Sequence, residues 1–290
     1  MTNKNIKTSQ KNTPGALYVV ATPIGNLEDI SVRAVQILST VDLIACEDTR
    51  HTRKLCHYCK IETPLFSYYR EREQERSEIL INLLAAGKDI ALVSDAGTPA
   101  ICDPGSILVN KARGSGIKVV PIAGPSALTA SLSIAGLTDP QFFFGGFLPA
   151  RSTDRKKFLK NVSSLPYPLI FYETPHRIYD SLLDMADVLG KRRIQLFREL
   201  SKIHEEHLEG IITDLAERVR EGVKGELVLV VQGAMPTASE KPESIEELIL
   251  WHRDELQTSL KDTVRNIASD LDIPRSSVYK RALAVWKKSD

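Results

Sequence analysis

An α/β fold in two lobes, followed by a small all-helical module, is what this sequence predicts, and three observations carry the prediction. Short apolar strands alternate with helical patterns over residues 15–149. A second strand and helix alternation fills residues 150–235, where the strand direction is expected to be mixed. Beyond a linker at 233–243 that carries Pro236 and Pro242, helical periods alone occupy residues 244–288.

In the first lobe, strands fall near 17–21, 43–46, 90–94 and 119–122, a mostly parallel set with helices between. Ser31 is placed to cap a helix through Val32, Val35, Ile37 and Leu38. Pro149 closes this lobe, and a basic, serine-bearing stretch at 151–160 follows it. The second lobe then reads as strand 169–172, helix 178–189, and strands at 194–200, 207–210 and 226–232. The tail reads as helices at 244–256, 260–271 and 272–283, the last two spaced like a helix-turn-helix with Ala268 at the crossing and Ser276 or Ser277 as cap. From 256 to 290 there are seven Lys or Arg (261, 265, 275, 280, 281, 287, 288) against four Asp, an excess of three positive charges. A phosphate-binding face and a packing module with solvated charges both fit that pattern.

The most informative segment is the loop after strand 90–93. Ser94, Asp95, Gly97, Thr98, Pro99, Asp103, Pro104 and Gly105 put acid, hydroxyl and glycine at a strand end, where open α/β sheets bind ligands. The plainer reading makes Asp95 a cap for the next helix. Strand 119–122 likewise runs into Gly124, Pro125, Ser126 and Ala127, with Ser126 at a helix start. The first strand leads to Thr22, Pro23, Ile24, Gly25 and Asn26. Three strand-end loops are thus expected to meet around one ligand.

Composition narrows the class. The chain has 290 residues and a net charge of +1, so no global field points to a polyanion. No apolar run is long enough to span a bilayer. Residues 1–14 are polar, carry no apolar signal core and read as a disordered tail, so a cytoplasmic location is expected. Cys46, Cys56, Cys59 and Cys102 contain a single Cys-x-x-Cys without a second ligand pair, which favours small core residues over zinc or redox chemistry.

Six ordered runs over about residues 15–235 resemble the small-subunit ribosomal RNA methyltransferase I family, the ribose-methylating branch of the tetrapyrrole methylases. They are ATPIGNLED from Ala21, CEDTR from Cys46, SDAGTP from Ser94, AGPSA from Ala123, FYETPHR from Phe171 and RELSK from Arg198. The resemblance implies a class III methyltransferase fold, S-adenosylmethionine in the cleft between lobes, a homodimer, and 16S rRNA or the small subunit as partner, without a metal. No Gly-x-Gly-x-x-Gly is present for a Rossmann dinucleotide site. Carried over by motif, Pro23, Gly25, Asp95, Gly97, Thr98, Asp103, Ser126, Ala127 and Tyr172 are the expected cofactor residues. The implied reaction is 2'-O-methylation of a cytidine near the decoding centre.

The loop after the first strand departs from the glycine-rich opening of the tetrapyrrole enzymes, which argues against a porphyrin-like substrate. A small-molecule methyltransferase of this fold and a non-catalytic RNA-binding adaptor are the alternatives. Methyl transfer to a hydroxyl needs alignment, exclusion of water and removal of a proton. The Glu47-Asp48-Thr49-Arg50 run and Glu199 or Lys202 hold the candidates, Glu47, Arg50 and Lys202 foremost, with a lysine of lowered pKa as base and a carboxylate orienting the ribose; a Glu47–Arg50 ion pair and a Lys202 phosphate contact are the structural alternatives. Cations for RNA are sought in Arg50, Arg53, Arg70, Arg72, Arg76, Arg177 and the 151–160 stretch.

Overall fold

The computed structural model describes residues 13–138, 140–234, 244–254, 258–271 and 273–286. Residues 1–12 of the tail expected at 1–14, most of the linker including Pro236 and Pro242, and Lys287 and Lys288 lie outside the described residues. The chain divides into two compact units, Met1–Gly233 and Ala234–Asp290.

The first unit opens with β1 (Ala16–Val20), α1 (Val32–Thr40), β2 (Leu43–Cys46), α2 (Thr49–Cys59), β3 (Leu65–Ser67), α3 (Glu73–Ala85), β4 (Ile90–Val93), α4 (Ser106–Gly114), β5 (Lys118–Ile122) and α5 (Ala127–Ile134). The five strands pair in the order β3-β2-β4-β1-β5, all parallel. Helices cover both faces, so both faces are apolar. Along β4, Ile90 and Leu92 pack with Leu80, Leu84, Leu108 and Ala112 of α3 and α4. Ala91 and Val93 point the other way, onto Ala34, Leu38 and Cys56 of α1 and α2. Ser31 caps α1 as expected, its hydroxyl accepting from the Ala34 amide at 3.1 Å.

The same unit continues with β6 (Phe143–Phe147), α6 (Ser152–Val162), β7 (Leu169–Glu173), α7 (Ile178–Leu189), β8 (Arg193–Arg198), β9 (Glu206–Ile211), α8 (Ile212–Arg218) and β10 (Leu227–Val231). Their order is β6-β7-β10-β8-β9, with β6 parallel to β7 and the other pairs antiparallel, a mixed sheet. One face packs on α6, α7 and α8 through Leu159, Leu182, Met185 and Leu215. The other, through Ile170, Phe197, Val228 and Val230, receives α5 of the first sheet together with Ile24 and Leu200. That second contact is what brings the two sheets onto one cavity.

Several elements differ from the sequence reading. Residues 143–147 precede Pro149 yet hydrogen-bond to β7, so they belong to the second sheet. The 151–160 stretch is helical, because Arg155, Leu159 and Val162 form a buried stripe at helical spacing. β3 is a three-residue edge strand, too short to show a period.

The second unit holds α9 (Ile245–Asp254), α10 (Leu260–Asp270) and α11 (Arg275–Val285) around Ile249, Val264, Ile267, Ala268, Val278 and Ala282. Ser259 caps α10 through the Asp262 amide at 3.2 Å. Neither Ser276 nor Ser277 caps α11: Pro274 holds the cap position and both serines lie inside the first turn. Arg265 and Arg281 pair with Asp262 and Glu246 at 2.9 and 3.3 Å. Lys261, Arg275 and Lys280 are exposed.

Candidate active site

A cavity of about 270 Å³ opens where the β4–α4 loop, the start of α5, the end of β7 and the start of β10 meet. The β4–α4 loop is held at both ends. Thr22 and Gly97 exchange backbone hydrogen bonds at 2.9 and 3.0 Å, which clips the β1 loop to it. At the far end, the Gly105 amide donates to buried Glu73 at 2.7 Å, and Tyr68 donates to the same carboxylate oxygen at 3.0 Å. Gly105 sits at φ +142°, and a Cβ there would lie 2.7 Å from Leu92 Cδ2, so the turn into α4 needs glycine. Asp95 does not cap α4; its Oδ1 accepts from the Asp48 amide at 3.1 Å and ties in the loop after β2.

Across the cavity, Tyr172 Oη accepts from the Leu128 amide in the first turn of α5 at 3.1 Å. Phe144 and Phe147 meet the Tyr172 ring edge-on at 5.1 and 5.5 Å. Glu173, fully buried, accepts from Arg177 at 2.6 Å, Ser181 at 2.7 Å and the Thr174 amide at 2.8 Å, so its charge is matched internally. Arg177 is therefore committed to the wall and is not a free cation.

Asp95, Gly97, Thr98, Asp103, Ser126, Ala127 and Tyr172 all line this cavity. Pro23 lines a smaller hollow of about 20 Å³ that shares Asp95. Gly25 lines neither; it packs on Lys202 and Ser201. Of the residues considered for catalysis, Glu47, Arg50 and Lys202, none lines the cavity. Glu47 is close enough to feel two of the lining acids: burial, then the charges of Asp103 and Asp95, push its carboxyl up. Burial likewise raises Asp103, Asp95 and Glu226 adding to it while the Ser94 hydroxyl and Arg70 oppose. Arg50 pairs with Asp48 at 2.8 Å, not with Glu47, and holds that carboxyl at about 2.

Lys202 differs most from expectation. Its Nζ bridges Glu199 at 2.8 Å and Glu226 at 3.1 Å. Burial alone would lower it, but the two carboxylates outweigh burial and hold the ammonium above its ordinary range. A lysine in this setting donates hydrogen bonds and does not accept a proton. The other cations are also largely spoken for. Arg155 is buried against Asp184 at 2.6 Å, Arg72 pairs with Glu75 at 2.7 Å, Arg70 donates to the Cys102 carbonyl at 2.7 Å, and Arg76 packs on the Phe66 and Tyr69 rings. Lys156 pairs with Asp187 at 2.9 Å, whereas Arg50, Arg53, Arg151, Lys157 and Lys160 remain exposed.

The sequence reading missed Phe147, Thr174, Glu226 and Val228 in the wall. Thr174 stands inside the FYETPHR run, two residues after Tyr172. Glu226 stands at the amino end of a strand, and β10 runs antiparallel to β7 with Leu227 opposite Glu173, so its beginning lies at the same sheet edge as the β7 end.

The two lobes with a cavity between them match a known class. A family model described as Tetrapyrrole (Corrin/Porphyrin) Methylases matches residues 16–223. Solved structures give the same fold: diphthine synthase (TM-score 0.61, 17% identity, 75% of this chain and 90% of that one) and uroporphyrin-III C-methyl transferase from Thermus thermophilus complexed with S-adenyl homocysteine (TM-score 0.55, 18% identity, 74% and 97%). Much nearer in sequence are proteins called ribosomal RNA small subunit methyltransferase I. The one from Bacillus subtilis (strain 168) is 39% identical over 285 residues, covering 96% of this chain and 98% of the relative; that of Escherichia coli O157:H7 is 43% identical over 279 residues, covering 95% and 97%. The chain belongs to the ribosomal RNA small subunit methyltransferase I branch of the tetrapyrrole methylase family.

Proposed function

We propose that this protein transfers the methyl group of S-adenosylmethionine to the 2'-hydroxyl of a cytidine ribose in 16S rRNA, near the decoding centre. The observation that carries this reading is the cavity of about 270 Å³ onto which the two sheets direct a polar strand-end loop and an aromatic wall. Its residues fit the cofactor. Ile24, Leu128 and Val228 offer an apolar shelf, Asp95 and Asp103 offer acceptors, and Ser126 leaves the α5 start without a side-chain cap, so amides there suit a carboxylate. The cofactor supplies an electrophilic methyl group on a sulfonium. On this reading Asp95, Gly97, Thr98, Asp103, Ser126, Ala127 and Tyr172 bind it, while Pro23 and Gly25 support them from behind.

Arg50, Arg53 and the exposed Lys261, Arg275 and Lys280 are assigned to RNA phosphates. The protein is proposed to act as a homodimer in the cytoplasm; among the described residues no helix is long and apolar enough to cross a membrane. The test is calorimetry with S-adenosylmethionine on the wild type and Asp95→Ala. Binding that weakens at least tenfold in the variant, with unfolding unchanged, supports the site; equal affinity contradicts it.

A further inference from the structure

Four carboxylates wall the cavity, and only one of them is placed to meet a macromolecular substrate. Glu173 is buried and saturated, Asp95 is held by the Asp48 amide, and Asp103 lies half-buried within the loop. The Glu226 side chain is 71% exposed, so it belongs at once to the wall and to solvent. Its Oε2 accepts from Lys202 at 3.1 Å, and its Oε1 has no hydrogen-bond partner among the described residues.

A costly piece of backbone holds that arrangement. Glu199 and Ser201, neither a glycine, adopt φ of 52° and 63°, the left-handed region where such residues carry strain. The turn is fixed by the Glu199 amide on the Glu226 carbonyl and by the Glu226 amide on Glu199 Oε1, each 3.0 Å. Ser201 accepts from the Asn26 amide at 3.2 Å, which ties the turn to the β1 loop. Two glycines make room for it. A Cβ on Gly25 would overlap Lys202 Cγ, and one on Gly225 would overlap the Glu199 side chain. The result is a lysine stem clamped between loops, with its ammonium fixed on Glu226.

We propose that Glu226 is the carboxylate that receives the substrate hydroxyl, and that Lys202 is a positioning residue acting through it. This rests on the proposed function above. The hydroxyl donates to Glu226 Oε1; as its oxygen bonds the methyl carbon, the carbon–sulfur bond breaks with its electron pair left on sulfur, and the proton passes to Glu226 and then to water. The charged groups facing Glu226 are Lys202 and Glu199 from the 199–202 turn and Asp103 from the β4–α4 loop.

The experiment is single-turnover methylation of 16S rRNA across pH, with S-adenosylmethionine affinity measured alongside. Glu226→Gln is expected to lose about a hundredfold in rate with cofactor affinity within about twofold. Lys202→Met is expected to move the acid limb of the pH–rate profile to higher pH, because the positive charge beside Glu226 is gone, and Lys202→Arg to restore it. Should Glu226→Gln fold poorly, the Lys202→Met profile decides alone. A Glu226→Gln rate within about threefold of wild type overturns the proposal, as does a Lys202→Met rate that falls equally at all pH values. A wild type that binds cofactor yet never methylates RNA overturns the proposed function itself.

Discussion

Gly25 and Lys202 touch across the boundary between the two sheets so closely that a Cβ on Gly25 would overlap Lys202 Cγ and lie 2.9 Å from Ser201 Oγ. Gly25→Ala therefore overpacks this contact, and the turn that carries Lys202 has little freedom to yield. We expect a loss of about 1 to 3 kcal/mol in unfolding free energy, read from urea titration, with a rate loss in the same direction as Lys202→Met. An unchanged midpoint would mean that the turn gives way freely.

Arg177 anchors the wall from within. Arg177→Met leaves the Glu173 carboxylate, whose side chain has no exposure, without its cation. Such an orphaned charge costs about 3 to 5 kcal/mol. The double variant Arg177→Met with Glu173→Gln is expected to recover most of that loss, measured again by urea unfolding.

Asp103 gives a pH dependence of definite sign. Burial and neighbouring carboxylates raise its pKa in the folded protein above the unfolded value. The folded state therefore binds more protons between those two values, and stability rises as pH falls through that window. Asp103→Asn is expected to be more thermostable than wild type at about pH 8, with the difference shrinking on acidification through the raised folded value. Thermal melts of both proteins at a series of pH values check this, and a difference that grows on acidification contradicts it.

The carboxyl-terminal unit has its own core, and its exposed Lys261, Arg275 and Lys280 are assigned to phosphate. Cutting the chain after Pro236 is expected to leave S-adenosylmethionine binding intact. RNA affinity should fall, and its logarithmic salt dependence should become shallower by about 0.7 to 0.9 for each phosphate that the shortened chain no longer neutralises. Filter binding at several salt concentrations reads both, and an unchanged slope makes the unit a packing module.

Legibility in the sequence followed local chemistry. The Ile90–Val93 run, the acid and glycines after it and Ser31 as a cap could be read because each is decided within a few residues. Partners distant in sequence stayed hidden. Nothing near Arg155 announces Asp184, and Glu173, though only four residues before Arg177, gives no sign in the sequence of being buried and paired, so both arginines read as free cations. Lys202 has the look of a base in the sequence, and only the fold sets Glu226, 24 residues on, against its ammonium. Strand 143–147 falls on the wrong side of Pro149 in the sequence reading because sheet membership is set by pairing with β7, and its Gly145 and Gly146 blur the apolar period.

The central claim is tested most directly by a map of ribose 2'-O-methylation across small-subunit rRNA from cells lacking the gene, with and without the gene restored. One cytidine near the decoding centre is expected to lose its methyl group, to regain it with the wild-type gene, and to stay unmethylated with Asp95→Ala. A map that is identical with and without the gene would contradict the claim.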